Sequence, residues 1–281
     1  MSEARATPAG IQHPRVKQYL SVKNNTKSNP ENLACLEGLW ELTIARKEAL
    51  DIRAFFLCPE LLRGDAARTL ANNLIDSGVH SYLVSEKVMQ RLADKDEPDG
   101  LAAIVQLPRF TWADLPLGEH NSLIVLDALE IPGNVGTIIR CADAVGANGI
   151  IITNRRTRLS HPKLLHSSMG SSFTFPVIEA QVDEAIDWLK EHDFRIVTTD
   201  TDAPVNYRQA NYRGRVAVVM GSERYGIVKE WHQAADVEVS IPMAGKIDSL
   251  NVGNAAVLML YEIFYQQQPE KFSSKAALQG G

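Results

Sequence analysis

Five short apolar runs do most to limit what this chain can fold into. They are "SLIVLDAL" (122–129), "GIIIT" (149–153), "FRIVTTD" (194–200), "RVAVVMG" (215–221) and "VEVSIPM" (237–243). Near-continuous blocks of branched aliphatic residues belong to strands buried on both faces. Helical stretches such as "VDEAIDWLKEHD" (182–193) separate them. This alternation predicts an α/β fold with a mostly parallel sheet covered on both sides. Ligands of such sheets sit at the carboxyl ends of the strands.

A smaller α/β series precedes it. "NLACLEGLWELTIARKEAL" (32–50) has helical spacing, with Leu36, Leu39, Trp40 and Ile44 on roughly one stripe. "IRAFFLC", "VHSYLVS" and "GLAAIVQL" read as strands, and "GDAARTLANNLIDSG" and "EKVMQRLAD" as helices. "PRFTWADLPLGEHN" (108–121) has prolines and no period, so it reads as a linker. The expected organisation is a domain over 1–107, a linker over 108–121, a larger domain over 122–268 and a disordered tail over 269–281.

Composition excludes some classes. No run approaches the ~18 apolar residues of a membrane span, and the N-terminus has no apolar core and carries an acid, unlike a signal peptide. Cys35, Cys58 and Cys141 are unpaired in spacing, which predicts reduced thiols in a cytosolic protein. The histidines are scattered, and the five-residue spacing of His161 and His166 leaves no metal site to propose. A net charge of −5 argues mildly against nucleic acid. Its distribution argues the other way. Residues 1–30 hold Arg5, Arg15, Lys17, Lys23 and Lys27 against Glu3 alone, and "NRRTRLSHPKLLH" (154–166) has no acid. Such patches grip a phosphate backbone or are simply solvated.

The stretch "DALEIPGNVGTIIRCADAVGANGIIIT" (127–153) reads strand, turn, helix, strand, as many nucleotide-binding sheets begin. Gly133 and Gly136 are spaced wrongly for a dinucleotide fingerprint, and the following strand ends in "TNRRTR" rather than in an acid. An NADP-dependent oxidoreductase, with Arg155 and Arg156 on the extra phosphate, is therefore an alternative reading only. The helix buries a stripe of Val135, Ile138, Ile139, Ala142 and Val145. Arg140 lies off that stripe, read here as in the first turns of the helix; it faces solvent, a ligand or another subunit, or pairs with Asp143. Two further segments bear on it. "VVMGSERYGI" (218–227) is a strand ending in a glycine-bounded loop. "VSIPMAGKIDSLNVGNAAVLMLYEIF" (239–264) is a strand, a polar loop and a long helix capped by Ser249 or Asn251. That helix is apolar on most sides, as if buried in its own core or against a second subunit.

Taken in order, these segments resemble the three motifs of the SpoU/TrmH branch of the S-adenosylmethionine-dependent RNA 2′-O-ribose methyltransferases. "NVGTIIR" resembles the first, with Asn134 and Arg140; "GSERYG" the second, with Gly221, Glu223 and Gly226; "IPMAGKIDSLNVGNAAVLMLYE" the third, with Pro242, Ser249 and Asn251. "SSMGSSFTFPV" resembles the family's serine-glycine segment. The resemblance covers roughly 120–266, and the N-terminal half resembles a ribosomal-protein-like RNA-binding domain. Two segments depart from the pattern. Arg224 and Tyr225 follow the motif-two glutamate where many members have a glycine, and His166 stands where many have a basic residue.

The resemblance implies a deep trefoil knot in the C-terminal domain, S-adenosylmethionine as cofactor and a homodimer. It implies no metal and no membrane, with ribosomal RNA the nearest substrate class and the antibiotic-resistance enzymes the nearest subgroup. Transfer RNA, or a non-catalytic ribosomal-RNA-binding role, are the other readings. It implies that Thr199, Met220, Gly221, Ser222, Ile241, Met243, Leu250 and Asn251 hold the cofactor, and that Arg140, Asn134, Glu223, Ser249 and Asn251 form the catalytic set. Arg155, Arg156, Arg158, Lys163, Arg15, Lys17 and Lys23 are the expected RNA contacts.

Overall fold

The structure is a computed structural model that describes residues 5–222 and 224–272. Along the chain its α-helices are α1 (Pro14–Asn24), α2 (Leu39–Lys47), α3 (Gly64–Asp76), α4 (Glu86–Leu92), α5 (Pro132–Ala144), α6 (Pro162–Ser168), α7 (Val182–Glu191), α8 (Lys229–Ala234) and α9 (Val252–Gln267). The chain forms two compact units, Met1–Pro108 with Leu159–Thr174, and Arg109–Arg158 with Phe175–Gly281.

The first unit is built on β1 (Thr7–Pro8), β2 (Leu33–Glu37), β3 (Asp51–Leu57), β4 (Ser81–Leu83) and β5 (Leu101–Gln106), in the order β1-β4-β3-β5-β2. β5 runs antiparallel to both of its neighbours. The helix expected across 32–50 is corrected here: its first half is β2. Leu33, Ala34, Cys35 and Leu36 are all buried, as in a strand covered on both faces, and Gly38 at φ 92° ends the strand and starts α2. The apolar stripe that straddled Gly38 was a coincidence of strand and helix periods. α1 was not foreseen within the basic N-terminal arm. It starts at Pro14, with the His13 side chain accepting from the Arg15 N–H, and buries Val16 and Tyr19.

The stretch Leu159–Thr174 lies between two strands of the other unit in sequence but packs in the first. Gly170 approaches Ile44 of α2 so closely that a Cβ would stand 2.7 Å from its Cγ2, and the His166 Nδ1 lies 3.2 Å from Glu41 Oε1. Burial raises the Glu41 carboxyl above its usual range, while the Glu37 N–H and His166 hold it back.

The second unit carries β6 (Asn121–Asp127), β7 (Gly149–Thr153), β8 (Val177–Glu179), β9 (Arg195–Thr199), β10 (Val205–Asn206), β11 (Arg215–Gly221) and β12 (Val237–Ser240). Their order is β10-β12-β9-β11-β6-β7-β8 and every pairing is parallel. All five apolar runs are strands of this sheet, and the central ones are buried throughout, Ile124 and Val125 of β6 and Val216–Val219 of β11 at 0% exposure. On one face Trp231 of α8, Leu189 of α7 and Phe194 pack with Val125, Ile151 and Val219. β11 inserts between β6 and β9, so the chain doubles back across its own sheet. After β12, residues 241–251 lead into α9, which packs against α5 and β11. Of the expected tail, Pro269–Phe272 form a 3-10 turn with Phe272 against Phe264 and Tyr265. Residues 273–281 lie outside the described residues.

Candidate functional site

Parallel strands end with their carbonyls aimed at one edge of the sheet, and this is where the second unit opens. A cavity of about 240 Å³ lies at the carboxyl ends of β9, β11 and β12. Its lining includes Thr199, Met220, Gly221, Ser222, Ile241, Met243, Ser249 and Leu250, which are the expected cofactor contacts other than Asn251, joined by Ser249 from the expected catalytic set. Asp200, Thr201, Gly226, Val239, Val252 and Ala255 complete it. Apolar walls with a few polar groups are the usual make-up of a small-molecule site, and the volume lies a little below the usual range.

Two segments of its wall press together. A Cβ on Gly221 would stand 2.2 Å from the carbonyl carbon of Gly226, so only glycine lets the loop fold back onto the end of β11. Ser222 and Gly226 exchange backbone hydrogen bonds of 2.9 and 3.1 Å across the turn, and the Tyr225 N–H donates to Ser222 Oγ at 3.1 Å. Thr199 Oγ1 donates to the Val219 carbonyl at 3.0 Å, fixing the end of β9 to β11.

A residue not singled out from the sequence holds this edge. Asp127, fully buried at the end of β6, accepts from Thr153 Oγ1 at 2.9 Å and Asn154 Nδ2 at 2.8 Å through Oδ1, and from the Val228 N–H at 2.9 Å through Oδ2. One carboxylate thus joins the ends of β6 and β7 to the segment that follows the Ser222–Gly226 turn. A lone acid at a strand end carries no pattern to reveal this. Asp200, the last residue of the run "FRIVTTD" and next after β9, was not picked out as a lining residue.

The first and third motif segments meet beside the cavity. Asn251 caps α9 by accepting from the Gly253 N–H at 3.0 Å, and its Nδ2 donates to Asn134 Oδ1 of α5 at 3.3 Å. Ser249 Oγ donates to Asp248 at 3.3 Å. The stripe of α5 is buried as its spacing predicted, with Val135, Ile138, Ile139 and Ala142 at 0–1% exposure. Arg140 is the ninth residue of α5, in its third turn rather than its first, so it leaves the helix N-terminus clear. It is exposed and does not line the cavity of its own chain. Glu223 lies outside the described residues.

The expected RNA contacts fall in both units. In the second, Arg155 pairs with Glu179 at 2.9 Å, Arg156 is exposed and Arg158 is half-buried. In the first, Lys17 and Lys163 are exposed and Arg15 donates to Gln18 Oε1 at 2.7 Å. Lys23 departs from the expectation. Its ammonium donates to the Leu92 and Ala93 carbonyls at 2.8 and 2.6 Å and pairs with Asp94 at 2.8 Å, with only 12% of the side chain exposed. It ties α1 to the carbonyl end of α4 and has no donor to spare for phosphate.

This geometry agrees with the comparisons to known proteins. A profile of the SpoU rRNA Methylase family matches residues 121–261, and one of the MRM3-like substrate binding domain matches residues 13–103. The chain is 31% identical over 266 residues to an uncharacterized tRNA/rRNA methyltransferase of Synechocystis sp., covering 93% of this chain and 94% of that one. It is 26% identical over 249 residues to the 23S rRNA (guanosine(2553)-2′-O)-methyltransferase RlmP of Bacillus subtilis, covering 89% and 95%. The crystal structure of an AdoMet-bound rRNA methyltransferase from Sinorhizobium meliloti has a TM-score of 0.83 and 27% identity to it, covering 96% of this chain and all of that one. With the match spanning the strands, the cavity and all three motif segments, the chain belongs to the SpoU rRNA methylase family.

Proposed function

We propose that the chain transfers a methyl group from S-adenosylmethionine to a ribose 2′-hydroxyl of ribosomal RNA, most directly 23S, acting as a cytoplasmic homodimer. The observation that carries this reading is the cavity at the ends of β9, β11 and β12, bounded by motif-two and motif-three residues, with Asn134 of motif one bonded to Asn251 beside it.

The residues present fit the cofactor. Met220, Ile241, Met243 and Leu250 offer apolar walls to a purine, and Asp200 and Ser249 offer polar groups to hydroxyl or ammonium functions. When bound, S-adenosylmethionine supplies a methyl group already made electrophilic by its sulfonium charge. The protein therefore needs no nucleophile of its own. It must hold the ribose oxygen about 3 Å from the methyl carbon and favour the alkoxide that develops there. Arg140 suits both tasks, because its fork of donors stabilises negative charge and orients an adjacent phosphate bidentately. A guanidinium does not deprotonate at neutral pH, so the proton passes to water or a phosphate oxygen rather than to Arg140. Asn134 and Asn251 fix the ribose or the arginine.

The dimer completes the arrangement. α9 exposes Leu258, Tyr261 and Tyr265, at 38–49% exposure, on the face turned away from its own core. Covering that face with a second copy removes apolar surface from water. Pairing in this way also allows Arg140 of one copy to serve the cavity of the other. The trefoil knot implied by the resemblance belongs to this reading, with α9 returning after β12 to pack against α5 and β11. On the RNA side, Lys17 and Arg156, each in its own unit, are exposed cations available to phosphates.

The test is transfer of label from methyl-labelled S-adenosylmethionine to total RNA from cells lacking this protein, size-fractionated afterwards. Label in the large RNAs is expected. Label in transfer RNA alone would overturn the substrate. No label together with no cofactor binding would overturn the function.

A further inference from the structure

The turn between Ser222 and Gly226 has two kinds of residue. Its feet, Ser222 and Gly226, line the cavity. Its tip, Arg224 and Tyr225, does not, and both side chains are exposed. Tyr225 is 69% exposed, more than any other large apolar or aromatic residue described. The turn is nonetheless held firmly at its base: two backbone hydrogen bonds cross it, Ser222 Oγ accepts from the Tyr225 N–H, and the Gly226 backbone is packed on Gly221. The Arg224 guanidinium carbon lies 5.1 Å from the centre of the Tyr225 ring, over its face. One face of the ring thus carries a cation and the rest of it is open to solvent.

A braced turn that displays an aromatic ring and a cation beside a cavity is poorly explained as packing. Neither side chain contributes to the core, and the ring stands in water with a cation over one face. The arrangement fits an unpaired nucleobase. Sequence-specific proteins read RNA largely in loops and bulges, by stacking splayed bases on aromatic rings and arginine planes. An arginine stacked under the ring adds a positive charge for the neighbouring phosphate. The position matters as much as the chemistry. The methyl group must leave the cavity toward a ribose at its mouth, so a group on the rim meets the nucleotides next to the one modified.

We propose that Tyr225, backed by Arg224, is a stacking platform for an unpaired RNA base flanking the target ribose. This rests on the methyltransferase reading above and adds to it a specificity-determining pair outside the cofactor cavity.

The experiment compares the full-length wild type with Tyr225→Ala, Tyr225→Phe and Arg224→Ala. It measures KM for unmodified ribosomal RNA and kcat in methyl transfer, and Kd for S-adenosylmethionine by calorimetry. Stacking on an aromatic side chain predicts that Tyr225→Ala raises KM for RNA roughly 5- to 100-fold. Tyr225→Phe should restore it to within about two-fold of wild type, and Kd for the cofactor should stay within about two-fold in all three, as fits a ring that stacks and does not shape the cavity. Arg224→Ala should raise KM by a smaller factor that shrinks as salt is added. An unchanged KM in Tyr225→Ala overturns the platform. So does equal loss in the Ala and Phe variants, which would assign the role to the hydroxyl, and so does a cofactor Kd that weakens in step with KM, which would make the turn merely structural. If wild type methylates no RNA, the methyltransferase reading fails separately. The platform is then judged by anisotropy with a labelled single-stranded oligoribonucleotide, where equal binding by wild type and Tyr225→Ala overturns it.

Discussion

Replacing Asp127 by Asn tests whether one buried carboxylate holds the site's edge together. The side chain is fully buried and accepts three hydrogen bonds of 2.8–2.9 Å, two through Oδ1 and one through Oδ2. Asparagine keeps the shape but offers an NH₂ where one carboxylate oxygen stood. In its better orientation the amide oxygen still faces Thr153 and Asn154, and the NH₂ then points at the Val228 N–H, leaving a donor against a donor. An orphaned donor costs about 1–3 kcal/mol, and turning two charge-assisted bonds into neutral ones costs about 0.5–1 kcal/mol each. Relief from burying a charge offsets part of this, so the net loss is roughly 2–4 kcal/mol. At about 2–4 °C per kcal/mol for a chain of this size, Tm should fall by about 5–15 °C. The loosened turn should also weaken S-adenosylmethionine binding by about ten-fold, the measure of roughly 1.4 kcal/mol of lost positioning. Calorimetry reads both quantities. A Tm within about 2 °C of wild type with unchanged cofactor affinity would refute the role given to Asp127.

Other residues give independent checks. Arg140→Ala should lower kcat for methyl transfer by at least ~100-fold, the scale of a lost oxyanion-stabilising donor, while cofactor affinity stays within a few-fold; single-turnover label transfer and calorimetry separate the two. Lys23→Met should cost about 1–3 kcal/mol in urea unfolding, because three acceptors at the end of α4 lose their donor, whereas RNA affinity of the folded protein should not change. Glu41 has its carboxyl pKa raised by burial, so the folded state binds the proton more tightly than the unfolded chain does. Stability from this group is then greatest below the ordinary carboxylate pKa and falls as pH rises through the higher folded value. Glu41→Gln should flatten that fall in unfolding free energies measured from mildly acidic to neutral pH, and an unaltered slope would show that Glu41 titrates normally.

How far the sequence carried the structure depended on whether a feature was local. β6, β7, β9, β11 and β12 were visible because a strand buried on both faces needs an unbroken apolar run, and the α5 stripe because one helix face meets the core. The cap of α9 was narrowed to Ser249 or Asn251 for the same local reason, and Asn251 fills it. β2 was hidden because the strand ending at Glu37 and the helix starting at Leu39 together imitate one helical stripe, with only Gly38 to mark the break. The site was less legible. Thr199 and Met220 stand at the ends of two strands and Ile241 and Leu250 in the segment 241–251, and they meet only because β11 inserts between β6 and β9 while β12 turns to the far side of β9. No periodicity encodes that order, so only the resemblance brought those residues together in advance. Asp127 and Lys23 escaped for another reason. An acid at a strand end and a lysine in a basic arm look the same in sequence whether they are solvated or tied to three partners.

The measurement that tests the central claim most directly is the chemical position of the transferred methyl group. RNA labelled by the enzyme with methyl-labelled S-adenosylmethionine is hydrolysed in alkali, which cleaves each phosphodiester through its neighbouring 2′-hydroxyl. A 2′-O-methyl group blocks cleavage at its own nucleotide, so the account predicts label in alkali-resistant dinucleotides from the large ribosomal RNA. Label in ordinary mononucleotides would place the methyl on a base and contradict the claim that this site acts on a ribose oxygen.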